Sequence, residues 1–201
     1  MKRLFLSLCL VLSSTSLVSA GALTAEDLQR ASDHLQKTGA KFLASTEGWS
    51  ATQLSFKPAP TRWSVAEVAQ HIASAEDFLM KMIKTTAMEG PARTEQVNLK
   101  EIDDFVLQAI SDRTHKIQAP EPLIPINRFG SIQATRDHFK ESRAKTLAFL
   151  KETPDLREHA TDSPLGKKLD AYQWLLFISA HCERHTKQID EVKADPAFPK
   201  S

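Results

Sequence analysis

The sequence predicts an all-α domain: a four-helix bundle with a long crossover connection and an extra short helix. Three observations predict it. Four segments repeat apolar residues at the helical period. Each opens on a residue able to cap a helix, and proline-bearing loops lie between them. Long amphipathic helices without strands bury their stripes against one another, which makes a bundle.

The first helix is predicted from Thr24 to near Gly48. Thr24 caps it, Glu26 and Asp27 suit its positive end, and Leu23 staples onto Leu28. Leu28, Ala31, Leu35 and Phe42 make its stripe. After Pro58 and Pro60, Ser64-Val65-Ala66-Glu67 reads as a capping box, with Trp63 and Val68 as the staple. Val68, His71, Ala75, Phe78 and Met82 then share one face, so His71 is expected inside.

A weaker helical piece covers residues 99–116, followed by a loop with Pro120, Pro122 and Pro125. Ser131 caps the third long helix, whose stripe is Ile132, Phe139, Thr146 and Leu150, with Arg143 beside it. Asp170 and Gln173 box the start of the last helix, and Leu169 and Trp174 staple it. Its stripe is Trp174, Phe177, Ile178 and Val192. His181 and His185 lie within that stripe, and Gln188 follows. Ser179, Glu183 and Asp190 are expected to face solvent. No strand is predicted.

Composition narrows the function. The chain has 201 residues, 41% of them hydrophobic, enough for one domain with a real core. A net charge of +1 lacks the basic footprint of a nucleic-acid binder, so no nucleic-acid partner is expected. Residues 1–20 read as a signal peptide and 21–201 as the domain. Lys2 and Arg3 precede an apolar run over residues 4–12, and Val18-Ser19-Ala20 ends in small residues, placing cleavage after Ala20. That run is too short for a permanent membrane span. Cys9 follows Leu8 and not a small residue, which favours a soluble exported protein, periplasmic or secreted, over a lipid-anchored one. The mature chain then keeps one cysteine, Cys182, and has no intramolecular disulfide. A small buried residue is the simplest role for it, ahead of a reactive thiol.

The histidines carry the chemistry. His181 and His185, four apart, share a helix face and both rings can reach one ion. Spacing alone is weak, since seven histidines in 201 residues give roughly 0.24 such pairs by chance. Position is stronger. Imidazoles in an apolar stripe are costly unless their nitrogens are satisfied, and His71 meets the same condition on another helix. Three inward histidines would leave open positions on a divalent ion such as zinc, nickel or iron. The alternative is three core histidines, each bonded to a carbonyl or carboxylate.

His181-Cys182-Glu183-Arg184-His185 places its glutamate third, which fits neither zinc-protease pattern. Glu67, one turn before His71, could orient that ring or act as a base, although the capping box already explains it. Arg143 could hold an anionic substrate group, against the commoner role of a partly exposed helix arginine. His34, His115, His138 and His159 read as surface or boundary residues.

The segment Arg62-Trp63-Ser64-Val65-Ala66-Glu67-Val68-Ala69-Gln70-His71-Ile72 resembles the second-helix signature of DinB-like (damage-inducible) proteins. The run from Asp170-Ala171-Tyr172-Gln173-Trp174 through His181-Cys182-Glu183-Arg184-His185 to Gln188-Ile189 resembles the family's last helix. The likeness covers residues 24–195 or so. It implies a bundle with a long crossover, often a homodimer. It also implies a divalent metal held by His71, His181 and His185, with water in the open positions. Some relatives are transferases using a small thiol, and others are metal-dependent hydrolases. Export argues against the thiol chemistry, which belongs to a reducing cytosol.

Three functions follow. One is a metal-dependent hydrolase or group-transfer enzyme acting on a small molecule of unknown identity. Another is a bundle that binds a metal or ligand without catalysis. The third is a structural or interaction bundle whose histidines bind nothing.

Overall fold

The computed structural model describes residues 23–200. The signal peptide expected over residues 1–20 lies outside them. Four long helices dominate: α1 (Ala25–Ser45), α3 (Val65–Met82), α5 (Ile132–Glu152) and α6 (Ala171–Lys193). Two shorter ones, α2 (Ala51–Ser55) and α4 (Leu99–Ser111), lie in the connections. A π turn, Ile83–Ala87, prolongs α3, and a 3-10 turn, Glu121–Leu123, follows α4.

The helix starts are where local sequence put them. Thr24 with Asp27, Ser64 with Glu67, and Asp170 with Gln173 each form a reciprocal capping box. The Ser131 hydroxyl accepts from the backbone N–H of Ala134 at the start of α5. A fourth box, Ser50 with Gln53, nucleates α2, which is too short to show a period.

Four expectations need correction. The weak helix stops at Ser111, where Asp112 turns extended, and does not reach residue 116. A two-stranded antiparallel hairpin, β1 (Ala160–Asp162) and β2 (Lys168–Asp170), precedes α6. Three residues per strand are too few for alternation to register. Phe78 is exposed, because α3 turns its flanks to α5 and α6 and buries Ile72, Glu76 and Leu79 instead. Ser179 is fully buried, its Oγ 3.2 Å from Thr38 Oγ1 of α1. Helix α6 has no solvent face over its first ten residues, residues 171–180, which are all buried beneath α1, α3, α4 and the hairpin.

Cross-helix contacts fix the topology. Tyr172 Oη donates to the Asp27 carbonyl, and Thr38 meets Ser179 further along, so α1 and α6 run parallel. Glu76 pairs with Arg143, and Lys84 covers the Phe149 ring, so α3 and α5 also run parallel. Phe42 packs edge-on against Phe139 while Arg143 reaches back to Leu35 and Thr38, so α1 opposes α5. Helices α1 and α3 each pack against both α5 and α6. Long helices next to each other in sequence, α1 with α3 and α5 with α6, therefore lie across the diagonals.

Because α3 and α5 are parallel neighbours, the chain between them must return the length of the bundle. Helix α4 makes that return along α6. Its Asp103 accepts from Gln173 near the start of α6, and Arg113, just past its end, reaches Gln188 and Glu191.

Two buried charge networks clamp this arrangement. Arg143 Nε and Nη2 donate to both oxygens of Glu76 at 2.7 Å, and Thr146 donates to the same carboxylate. At one end of the bundle, Arg157 donates to Asp103, Asp27 and Asp170, joining α4, α1 and β2. Removing one partner of such a network leaves buried charge without compensation. We expect Arg157→Leu to lower unfolding stability by about 3–5 kcal/mol. A urea midpoint equal to wild type would show that this cluster does not clamp the fold.

Candidate metal centre

Three imidazoles converge where the start of α3 meets the second half of α6. His71 is fully buried, while His181 and His185 are partly exposed. His71 Nε2 lies 3.3 Å from His181 Nε2 and 3.2 Å from His185 Nε2. The three ligand atoms are all within 4.8 Å of one another. Trp63, expected as a helix staple, packs its ring 4.9 Å from that of His71. Phe177 stacks along His181 one turn below.

The partners of the outer nitrogens settle two tautomers. His71 Nδ1 is 2.9 Å from the Leu123 carbonyl, which can only accept, so Nδ1 carries the proton. His185 Nδ1 is 2.8 Å from Gln188 Oε1, and with the amide held in that orientation by Arg113 Nη1, 3.3 Å from the same oxygen, it likewise donates. Each ring is neutral, so its Nε2 carries a lone pair. Those two lone pairs face each other at 3.2 Å with no proton between them. That contact is repulsive unless a cation lies between the rings. The two distances from His71, 3.2 and 3.3 Å, suit one: nitrogens bound at ~2.1 Å sit ~3.0 to ~3.4 Å apart for octahedral or tetrahedral angles.

Electrostatics keep the site in its metal-ready form. Burial holds the pKa of His71 below the ordinary range, against the opposing pull of its bond to Leu123. Burial, then the neighbouring His185 and His71, push His181 well down. Burial brings His185 down to about 3. Protons therefore do not compete for the inner nitrogens at neutral pH.

The other sequence candidates stand elsewhere. Glu67 accepts from the Ser64 N–H at 2.8 Å and pairs with Lys57 at 2.7 Å, and it makes no hydrogen bond to the histidines. Arg143 is buried against Glu76 and donates also to Leu35 and Thr38, so it faces the bundle interior and is no exposed helix arginine. Cys182 is buried beside it, and burial pushes its thiol up to about 11, the inert state.

Ser142, His138 and Asp77 also cluster. His138 spends Nε2 on Asp77 at 2.6 Å, and Ser142 donates to the same carboxylate at 2.6 Å. The nitrogen that could take a proton from serine is thus committed, so this is no nucleophilic triad. Sequence reasoning missed the Leu123 carbonyl, which leaves no mark in residue type, and Arg113, which comes near the site only through the path of the crossover.

Fold and site together define a class: a helical bundle with three histidines, from two helices, meeting at one point. The chain belongs to the DinB superfamily, whose family profile matches residues 34–189. YuaE, an uncharacterised protein of Bacillus subtilis (strain 168), is 31% identical over 150 residues, which cover 73% of this chain and 87% of the relative. The solved structure of YfiT from Bacillus subtilis superposes with a TM-score of 0.55 over 88% of this chain and 91% of that one, at 15% identity. YfiT is described as a probable metal-dependent hydrolase with an unusual four-helix bundle topology. Its likeness supports the four-helix bundle fold found here.

The depressed histidines give a pH signature. Below about 6.5 the unfolded chain takes up protons that the folded histidines refuse, so stability falls as pH falls. Each histidine kept neutral costs ~1.4 kcal/mol per pH unit. For His185 the window runs from about 6.5 down to about 3. Asp170, raised by burial to about 6, acts with the opposite sign as the acid side is approached. Comparing metal-free wild type with His185→Gln cancels it. Unfolding between pH 7 and 5 is expected to be more pH-sensitive in wild type, and equal slopes would contradict the neutral, buried state of His185.

Proposed function

We propose that this protein is a divalent-metal-dependent hydrolase or group-transfer enzyme acting on a small molecule, with His71, His181 and His185 as the metal ligands. The observation that carries the reading is the convergence of the three rings, His71 Nε2 lying 3.3 Å and 3.2 Å from Nε2 of His181 and His185 while the outer nitrogens of His71 and His185 are spent on Leu123 and Gln188. A closed core cluster would share a proton there. An arrangement of three neutral imidazoles, two of them on partly exposed residues, offers a cation three of its ligands and leaves further positions for others. Its donor set suits zinc, nickel or iron. The description of YfiT as a probable metal-dependent hydrolase supports the same chemistry.

When bound, a divalent ion supplies Lewis acidity and makes water nucleophilic near neutral pH. The chain's own residues do the rest. The Leu123 carbonyl and Gln188 aim two of the ligands. Trp63 and Phe177 wall the site with apolar surface, which limits access of bulk water. Glu67, half-buried one turn before His71, is the carboxylate proposed as the base, and it would act by releasing Lys57. Arg143, enclosed by Glu76, is proposed to hold the bundle together beneath the site and not to contact substrate. Residues 1–20 are proposed to direct export, with a mature chain beginning at Gly21, which intact-mass measurement of the exported protein would verify.

Elemental analysis with melting curves tests the metal. Wild type is expected to carry about one ion per chain. Zinc at 100 times Kd should stabilise it by about 2.7 kcal/mol, an effect lost in His71→Ala. Glu67→Gln can keep the capping box while removing the charge. It should retain metal and lose turnover in a hydrolase screen. Wild type without metal and without a zinc-dependent shift would overturn the reading.

A further inference from the structure

We propose that Arg113 and Gln188 form a positioning pair that fixes the tautomer of His185, so that its Nε2 lone pair is the one presented to the cation. The inference rests on the metal-centre reading and adds to it which residues outside the ligands set the state of one of them.

A glutamine amide can turn either end toward an imidazole. With its oxygen at Nδ1 it demands Nδ1–H and frees Nε2. With its NH2 at Nδ1 it demands a bare Nδ1 and places the proton on Nε2, where it blocks a metal. Nothing in glutamine itself chooses. Arg113 does. Its Nη1 donates to Gln188 Oε1 at 3.3 Å, and the same oxygen lies 2.8 Å from His185 Nδ1. Guanidinium has donors only, so the turned amide would set NH2 against N–H. The oxygen must face both, and His185 must donate.

Arg113 is itself held. Its Nε and Nη2 donate to the two oxygens of Glu191 at 2.8 and 2.7 Å, a bidentate pair on the last turns of α6. Arg62, beside the Trp63 that packs on His71, reaches the same Glu191 at 3.5 Å. Arg113 lies past the end of α4, on the crossover, so the return path of the chain sets the state of a ligand on α6.

Charge alone predicts the opposite sign. A guanidinium near a cation site repels the cation, so removing it should tighten binding. Positioning predicts that removing it weakens binding. The test measures zinc affinity by competition with a chromophoric chelator, and 15N shifts of the imidazoles in the metal-free protein. Gln188→Leu should weaken zinc about 10- to 100-fold, the usual cost of losing an outer partner. Arg113→Met should weaken it by about 10-fold, with His185 moving toward the Nε2–H tautomer. In a Gln188→Glu background, where both oxygens accept and there is no orientation to lose, Arg113→Met should not weaken zinc at all.

Equal or tighter zinc binding by Arg113→Met in the Gln188 background would overturn the proposal. So would an unchanged His185 tautomer, or the same loss in both backgrounds. Failure of the metal reading looks different, with wild type itself binding no zinc, and the tautomer measurement still decides the pair.

Discussion

Two neighbouring helices that point the same way cannot be joined by a tight turn, and that constraint shapes this molecule. Helices α3 and α5 are parallel and packed, so the chain between them must travel back along the whole bundle. The return is made over α6, with α4 as its rigid part, and it has two results. It seals the outer side of α6, which explains why the first ten residues of that helix have no exposed face. It also carries the Leu123 carbonyl to His71 and Arg113 to Gln188. The histidines come from the helices, but their orientation comes from the crossover.

The helices were legible because their signals are local. A capping box needs four residues, and both boxes expected in the sequence form in the structure, while Thr24, expected as a simple cap, forms a third with Asp27. The inward histidines were legible for a related reason: 3.6-residue periodicity places His71, His181 and His185 on apolar stripes without knowledge of the partner helix. Burial of Ser179 and Glu76 was not legible. Both depend on how many neighbours a helix has, and a single stripe assumes one. Arg143 shows the same limit. In sequence it is a helix arginine near an apolar face. Its enclosure follows from Glu76 standing opposite on a parallel helix, a pairing separated by 67 residues.

Polar burial is concentrated at three levels of the bundle. The Arg157 cluster closes one end, the Arg143–Glu76 pair crosses the middle, and the histidines occupy the far end. The first two are satisfied by fixed partners from several elements. The third is not, since its inner nitrogens have only each other. Charge networks that are complete in themselves specify which helices pack together. Two acceptors, His71 and His185, left facing each other need something from outside to complete them. The contrast between the lower levels and the top one separates architecture from chemistry in this fold.

The parallel run of α1 and α6 sends the two ends of the domain to opposite poles. The start of α1 lies by the Arg157 cluster, whereas α6, about 35 Å long at its 23 residues, finishes beyond the histidines. A fusion placed ahead of α1 joins the pole away from the imidazoles, whereas one placed at the far end leaves from beside α2, where Phe198 packs on Trp49 and Phe56. An oligohistidine purification handle on that second end would share a pole with the imidazoles, so the choice of tag position bears on how metal stoichiometry is interpreted.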